Sequence, residues 1–247
     1  MSASLKRDPR VLDELLRTGA VQRAGQPLAP PRLLSTGFAG LDEALGGGLP
    51  RGQLHEIVAP ASAGGTAVLR AALGWSTRSG ELCALIDPDD AFDPRPRDID
   101  LRRLLWVRPR DPAQALRAAE IALEARFALV ALDMGGTGAP PGRIEGVHTV
   151  RFAFERRKRP PSDGVWARLA RKAEKHGGAL LVLSREARAG SFSATTIELE
   201  RAPARWEGAP RAPGRLLRGA GAVAAVLRSR RGPPSGPVRM RLSAEGT

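Results

Sequence analysis

What most limits the fold of this chain is a rhythm. Short apolar runs, each about the length of a buried strand, alternate with longer stretches of helical periodicity. Residues 53–58, 82–87, 104–107, 127–133 and 179–184 read as strands, and 66–78, 112–126 and 164–176 read as helices between them. The second helix opens with Asp111, Pro112 and Gln114, which resemble an N-cap, a first-turn proline and a capping-box partner. The third places Trp166, Leu169, Ala170 and Ala173 at i, i+3, i+4 and i+7, and Gly177 supplies its end. Strands that are apolar nearly throughout must be covered on both faces, and the intervening helices provide the cover. The pattern predicts an α/β sandwich around a mostly parallel sheet.

After residue 190 the rhythm changes. Residues 195–199, 222–228 and 238–242 read as strands with no helix between them, and the last two flank the turn-rich run Arg-Ser-Arg-Arg-Gly-Pro-Pro-Ser-Gly-Pro. This predicts an antiparallel extension of the same sheet. Residues 201–218, with Pro203, Pro210 and Pro213, read as a long loop. Ahead of the core, Val11, Leu12, Leu15 and Leu16 share one face of a helix over 10–18, and a proline-rich linker spans 27–31. The expected organisation is an N-terminal helix and linker over 1–32, a core over 33–200, and a basic extension of the sheet over 201–247.

Charge is distributed unevenly along the 247 residues. Residues 1–150 carry 18 basic and 18 acidic side chains, so the net charge of +13 lies entirely in the remainder. Residues 151–175 hold nine basic and three acidic groups, and 201–247 hold ten arginines and two glutamates. A bias towards arginine, 35 against four lysines, explains the choice of cation but not the thinning of acids in one half. Clustered positive charge suggests a polyanion such as DNA, or an acidic partner protein. The run Arg156-Arg157-Lys158-Arg159, together with Arg168, Arg171 and Lys172, is the candidate contact surface, or else a solvated loop with no fixed target. Cys83 is the only cysteine, so no intrachain disulfide forms. With neither a leader-like segment nor an 18-residue apolar stretch, a cytoplasmic protein without membrane contact is expected. His55, His148 and His176 have no metal-ligand spacing, and no metal site is expected.

The first core strand runs into Ala59-Pro60-Ala61-Ser62-Ala63-Gly64-Gly65-Thr66 and then a helix. A phosphate-binding loop has the form G-x-x-x-x-G-K-[ST] in this setting. Its glycines let backbone N–H groups curl round phosphate, its lysine neutralises the outer phosphates, and its hydroxyl ligates Mg²⁺. Gly64 and Thr66 fit, whereas Ala59 replaces the first glycine and Gly65 the lysine. On pattern alone, a plain Gly-Gly turn before a helix is the commoner reading.

The residues leading into it say more. Residues 35–58 read Ser-Thr-Gly-Phe-Ala-Gly-Leu-Asp-Glu-Ala-Leu-Gly-Gly-Gly-Leu-Pro-Arg-Gly-Gln-Leu-His-Glu-Ile-Val, which resembles the approach to the phosphate loop in RecA-type recombinases. Leu85-Ile86-Asp87-Pro88-Asp89 resembles the strand and turn that carry the catalytic glutamate, with Asp89 in its place. Val130-Ala131-Leu132-Asp133 resembles the second nucleotide motif, whose aspartate assists Mg²⁺ binding. Leu181-Val182-Leu183-Ser184-Arg185-Glu186 resembles the strand ending in the sensor glutamine, replaced by Glu186. The resemblance covers about residues 33–243 and implies a RecA-like sandwich.

The departures at Gly65, Asp89 and Glu186 each work against ATP hydrolysis, since electrostatic stabilisation dominates phosphoryl transfer. Arg70, one turn into the helix, is a poorly placed substitute cation. Only residues 187–194 separate Glu186 from the next strand, so a long DNA-gripping loop is not expected there. A degenerate core with an N-terminal helix and a basic C-terminal part resembles the ImuA family of bacterial inducible-mutagenesis cassettes. That resemblance implies a non-catalytic accessory protein of the DNA-damage response, without a cofactor of its own. Its implied partners are RecA, ImuB and, indirectly, an error-prone C-family DNA polymerase, with weak DNA contact that is not sequence-specific. A DNA-stimulated ATPase and a stand-alone antagonist of RecA filaments are the alternatives. Arg228 and Arg230 occupy a place similar to two lysines with which one RecA subunit reaches its neighbour's nucleotide, so they are the candidate RecA-facing pair. Two arginines merely flanking a hairpin is the plainer account.

Overall fold

A computed structural model describes residues 32–95, 98–135, 163–209, 214–232 and 236–242. The expected N-terminal helix, the linker over 27–31 and the run Arg156-Arg157-Lys158-Arg159 lie outside the described residues. A short ribbon pairs β1 (Leu33–Leu34) with β2 (Leu49–Pro50), with helix α1 (Ala39–Ala44) between them. The chain then alternates as β3 (Leu54–Val58), α2 (Gly65–Arg78), β4 (Cys83–Ile86), β5 (Leu104–Val107), α3 (Pro112–Glu124), β6 (Leu129–Asp133), α4 (Asp163–His176) and β7 (Ala179–Ser184). Every one of these strands and longer helices falls within two residues of its expected bounds. It closes with β8 (Thr195–Glu207), β9 (Leu216–Ser229) and β10 (Val238–Leu242).

Among the described residues these strands form one eight-stranded sheet in the order β10-β9-β8-β3-β7-β6-β4-β5. The six strands from β8 to β5 are parallel, while β9 and β10 are antiparallel additions. Both faces are covered, as the apolar strands require. On β7, Leu181 and Leu183 join the cluster under α2 with Val68, Leu69, Ala72 and Leu73. Leu180 and Val182 join the opposite cluster with Leu116 and Leu123 of α3 and Trp166 and Leu169 of α4. Helix α3 begins as its sequence predicts, with the Asp111 carboxylate accepting from the Gln114 N–H at 2.9 Å and the Gln114 side chain accepting from Arg110 N–H at 3.1 Å.

One expectation needs correction. Residues 201–218 are not a long loop, because β8 continues to Glu207 and β9 already begins at Leu216. The ladder tolerates Pro203, which has no N–H to donate, because the register shifts between Ala202 and Arg205. Of the three prolines read as loop-forming, Pro210 and Pro213 lie outside the described residues.

Candidate functional site

Strand β3 delivers the chain to the carboxyl edge of the sheet, where ligands of open α/β folds bind. There Ala59 to Gly64 turn sharply. Ala63 N–H donates to the Pro60 carbonyl at 3.1 Å, and Ser62 and Gly64 adopt φ of 62° and 93°. Gly65 and Thr66 open α2, with no side chain capping the helix. This is the outline of a phosphate loop, but its interior is filled. A Cβ built on Gly65 would lie 2.5 Å from Leu183 Cδ1 and 2.8 Å from Ala59 Cβ. The two departures from the motif therefore fit each other. With alanine at position 59 and Leu183 of β7 closing the space, residue 65 can carry a side chain only if both neighbours shift. A Lys-based cradle for nucleotide phosphates does not fit these residues.

One cation does touch the loop. Arg201 of β8 donates from Nε and Nη2 to the Ala61 carbonyl at 2.8 and 2.5 Å, clasping the loop from outside. Arg70 is held elsewhere, donating to Asp98 through Nε at 2.7 Å and to the Asp93 carbonyl through Nη1 at 2.9 Å. Its pKa is raised chiefly by the bond to Asp98.

Three carboxylates sit near one another at the ends of β4 and β6. Asp133 accepts from the Gly135 N–H at 2.9 Å, and its pKa is pushed up to about 6 by burial, with Asp87 and Asp89 adding negative charge. Asp87 is buried and holds the following turn, accepting from Ala91 N–H, Phe92 N–H and Trp106 Nε1–H at 3.1, 2.9 and 3.3 Å. Asp89 lies in that turn. Glu186 is exposed, and its carbonyl accepts from Ser184 Oγ at 2.7 Å. Among the described residues, no group of three or more His, Cys, Asp or Glu is arranged to hold a metal ion. Cys83 is core, and burial drives its thiol up to about 12.

The basic candidates separate. Arg168 and Lys172 face α3, where Arg168 Nε donates to Glu120 Oε1 at 2.5 Å and Lys172 pairs with Glu124. Arg171 lies on a different side of α4 and lines a cleft at the opposite, amino edge of the sheet. Arg228 and Arg230 meet at that same amino edge. They donate to the Gly190 and Ser191 carbonyls at 2.7 and 3.0 Å. The turn that carries those carbonyls is fixed by Glu56 of β3, a buried carboxylate accepting from Arg188 N–H at 2.6 Å and Ala189 N–H at 3.2 Å. Leu183, Arg201 and Glu56 also shape these two edges, and neither Leu183 nor Arg201 stands out in the sequence. Only Glu56 carried a signal, as an acid inside a strand read as buried.

The comparisons with known proteins agree with this anatomy. The family model for the RecA N-terminal domain matches residues 12–150. RecA of Chlorobaculum tepidum is 34% identical over 142 residues, 55% of this chain and 41% of that protein. RecA of Leifsonia xyli is 36% identical over 141 residues, again 55% of this chain and 40% of that protein. The chain thus spans about two fifths of the length of these relatives. The crystal structure of the RadB recombinase superposes with a TM-score of 0.59 at 20% identity, covering 85% of this chain and 96% of that one, a likeness of fold. Sequence and fold together make this chain a member of the RecA N-terminal domain family.

Proposed function

We propose that the protein is a RecA-like adaptor of the ImuA type, without an ATPase of its own, acting in DNA-damage-induced translesion synthesis. In this reading it works with RecA, with ImuB and, through them, with an error-prone C-family polymerase, in the cytoplasm. Family membership supports work alongside recombination and repair. The observation that carries the non-catalytic part is the packing behind Gly65, where Leu183 and Ala59 stand in the way of a lysine. The described residues include no helix long and apolar enough to cross a membrane.

The two edges of the sheet suggest how such an adaptor meets RecA. Its carboxyl edge lacks the phosphate cradle, while Arg228 and Arg230 are held ready at the amino edge. The planar guanidinium fork suits bidentate contact with phosphate oxygens. The protein then docks onto an ATP-bound RecA subunit but does not accept the next subunit through a nucleotide of its own, and so caps a filament. Binding to RecA should require a non-hydrolysable ATP analogue, weaken with ADP, and be lost in Arg228→Ala/Arg230→Ala. Nucleotide-independent binding, or binding unchanged in the double variant, defeats the cap. Pull-down from damaged cells should bring the polymerase along with an adaptor, and a stand-alone antagonist should arrive without it.

One observation favours the competing reading of a DNA-stimulated ATPase, namely the position of Arg201 against the loop. Single-turnover ATP hydrolysis with and without single-stranded DNA decides. Clear turnover abolished by Asp89→Asn makes the protein an enzyme.

A further inference from the structure

At the amino edge of the sheet, opposite the phosphate-like loop, lies a cleft of about 1110 Å³. Its floor is made by the starts of the parallel strands, at Leu54, Leu82, Ala128 and Ala194. Its walls carry Arg32, Arg51, Arg103, Arg126, Arg171 and Arg230. Against these six stand two acids, Glu81 and Glu174, and Glu81 is already paired with Arg51. Arg103 donates to the Gly80 carbonyl at 2.7 Å, and Arg230 uses one nitrogen on Ser191. Arg32, Arg126 and Arg171 have no side-chain partner among the described residues. Like charges gathered on one concave surface repel each other, and an anion in the cleft relieves the repulsion.

One of these arginines is kept against local preference. Helix α3 ends in a turn where Arg126 N–H donates to the Leu123 carbonyl at 3.0 Å and Phe127 N–H to the Ala122 carbonyl at 3.3 Å. This places residue 126 in the left-handed region, at φ 62°. Glycine is the usual occupant of that position, and Gly177 makes the equivalent turn after α4 with φ 75°. The fold thus presents a guanidinium at the lip of the cleft where a glycine costs less.

We propose that this cleft binds a single strand of DNA along its phosphate backbone. The inference deepens the weak DNA contact, not sequence-specific, that the sequence resemblance implies for such an adaptor, and rests on that contact, not on the translesion role. It assigns the contact to the amino edge, away from the Asp133 and Glu186 ends of the strands. Three features favour a strand over a small anion or an acidic peptide. At about 1110 Å³ the cleft sits at the top of the roughly 300–1,000 Å³ that holds single small ligands, so it has room for more than one phosphate. Its cations are all arginine, suited to bidentate phosphate contact. Its wall includes the half-buried Phe192 beside Ala170, which offers bases a small apolar, partly aromatic face next to the cations, the combination found in single-strand binders.

The test is fluorescence anisotropy of the full chain with a labelled oligo(dT), titrated with salt. Two triple variants remove equal charge: Arg32→Ala/Arg126→Ala/Arg171→Ala in the cleft, and Arg205→Ala/Arg239→Ala/Arg241→Ala on the exposed distal strands. Circular dichroism and melting confirm that both fold. Each backbone contact on a single strand adds about 0.7 to the slope of log affinity against log salt. The cleft variant should therefore lose about 2 from that slope and bind about tenfold or more weakly, while the distal variant stays near wild type. Equal losses in the two variants overturn the cleft assignment and leave DNA binding intact. No oligo(dT) binding by the wild type removes the DNA contact itself, while RecA docking is judged by its own experiment. Tighter binding of poly-glutamate, or binding of pyrophosphate as tight as that of the oligonucleotide, also overturns it, in favour of an acidic partner or a small anion.

Discussion

The two edges of this sheet differ in opposite ways. At the carboxyl edge a glycine-rich turn keeps the outline of a phosphate loop, yet Leu183 and Ala59 pack behind Gly65 as in an ordinary core. At the amino edge several arginines converge on one cleft. Backbone shape and side-chain chemistry are thus separable. A loop can keep its φ angles after losing its charge, and a surface can gain charge without any special backbone. In this chain, function is better sought where unpaired charge has collected than where the glycines remain.

The sharpest way to break the contrast is to loosen the amino edge through Glu56. Its carboxylate holds the Arg188–Ala189 turn, which in turn offers the carbonyls that hold Arg228 and Arg230. In Glu56→Ala two N–H groups lose their acceptor, at about 1–3 kcal/mol for each that stays buried. Glu56→Gln keeps an acceptor oxygen in place and should recover most of the loss. Urea unfolding of the three proteins checks this, and an alanine variant as stable as wild type would remove Glu56 from the scheme.

His55, next to it on β3, makes the same edge sensitive to acid. It is fully buried, its Nε2 lies 2.8 Å from the Pro50 carbonyl, and Nδ1 has no partner. Burial, aided by the charge of Arg230, lowers its pKa from 6.5 to about 4. The folded state therefore prefers neutral histidine. This preference contributes fully above pH 6.5 and is lost as pH falls towards 4, by at most about 3 kcal/mol. Stability measured from pH 7 to pH 4 should fall more steeply for wild type than for His55→Gln. Parallel curves would mean that the imidazole does not titrate in this range.

Much of this anatomy is legible in the sequence, for identifiable reasons. Periodicity and caps place the core elements, because buried strands and amphipathic helices must repeat as their geometry dictates. The loop, Asp89, Asp133 and Glu186 are read by order along a resembling chain, whereas the anchoring role of Asp87 is not. What the sequence conceals depends on registers between elements. Leu183 is one apolar residue in an apolar strand, and nothing local reveals that it blocks residue 65. Arg168 and Lys172 read as free cations until α3 brings Glu120 and Glu124 opposite them. Arg126 looks like any helix-end arginine until its φ is known. Residues 201–207 read as loop because the bulge that accommodates Pro203 depends on pairing with β9.

The carboxyl edge can be tested more gently, through Gly65 alone. Gly65 is the first residue of α2, where replacing glycine ordinarily costs a helix nothing, and further in it gains about 0.5–1 kcal/mol. Here replacement should cost stability instead. Gly65→Lys must push aside Leu183 and meet Ala59 Cβ, an overpacking that costs about 1–3 kcal/mol. Ala59→Gly in the same chain removes one of the two obstructions and should return part of the loss. Thermal melts of the single and double variants decide, and a Gly65→Lys protein more stable than wild type would show that the loop interior is open.

The smallest effect expected is none at all, and it bears on the same residues. A ligand stabilises a protein only by binding its native state, by about 2.7 kcal/mol at a hundredfold excess over its dissociation constant. With Gly65 in place of the lysine and Leu183 filling the space behind it, millimolar Mg-ATP should leave the melting temperature of the wild type unchanged. The double variant Ala59→Gly/Gly65→Lys provides the contrast, because it restores both the motif's glycine and its cation at the mouth of α2. If the loop has kept its shape and lost only its chemistry, ATP should stabilise the double variant and not the wild type. A shift of several degrees in the wild type would mean that some other cation, with Arg201 the nearest candidate on the loop, has taken over the lysine's work. No shift in either protein would mean that the backbone too has moved beyond recovery, and the two edges would then differ in shape as well as in charge.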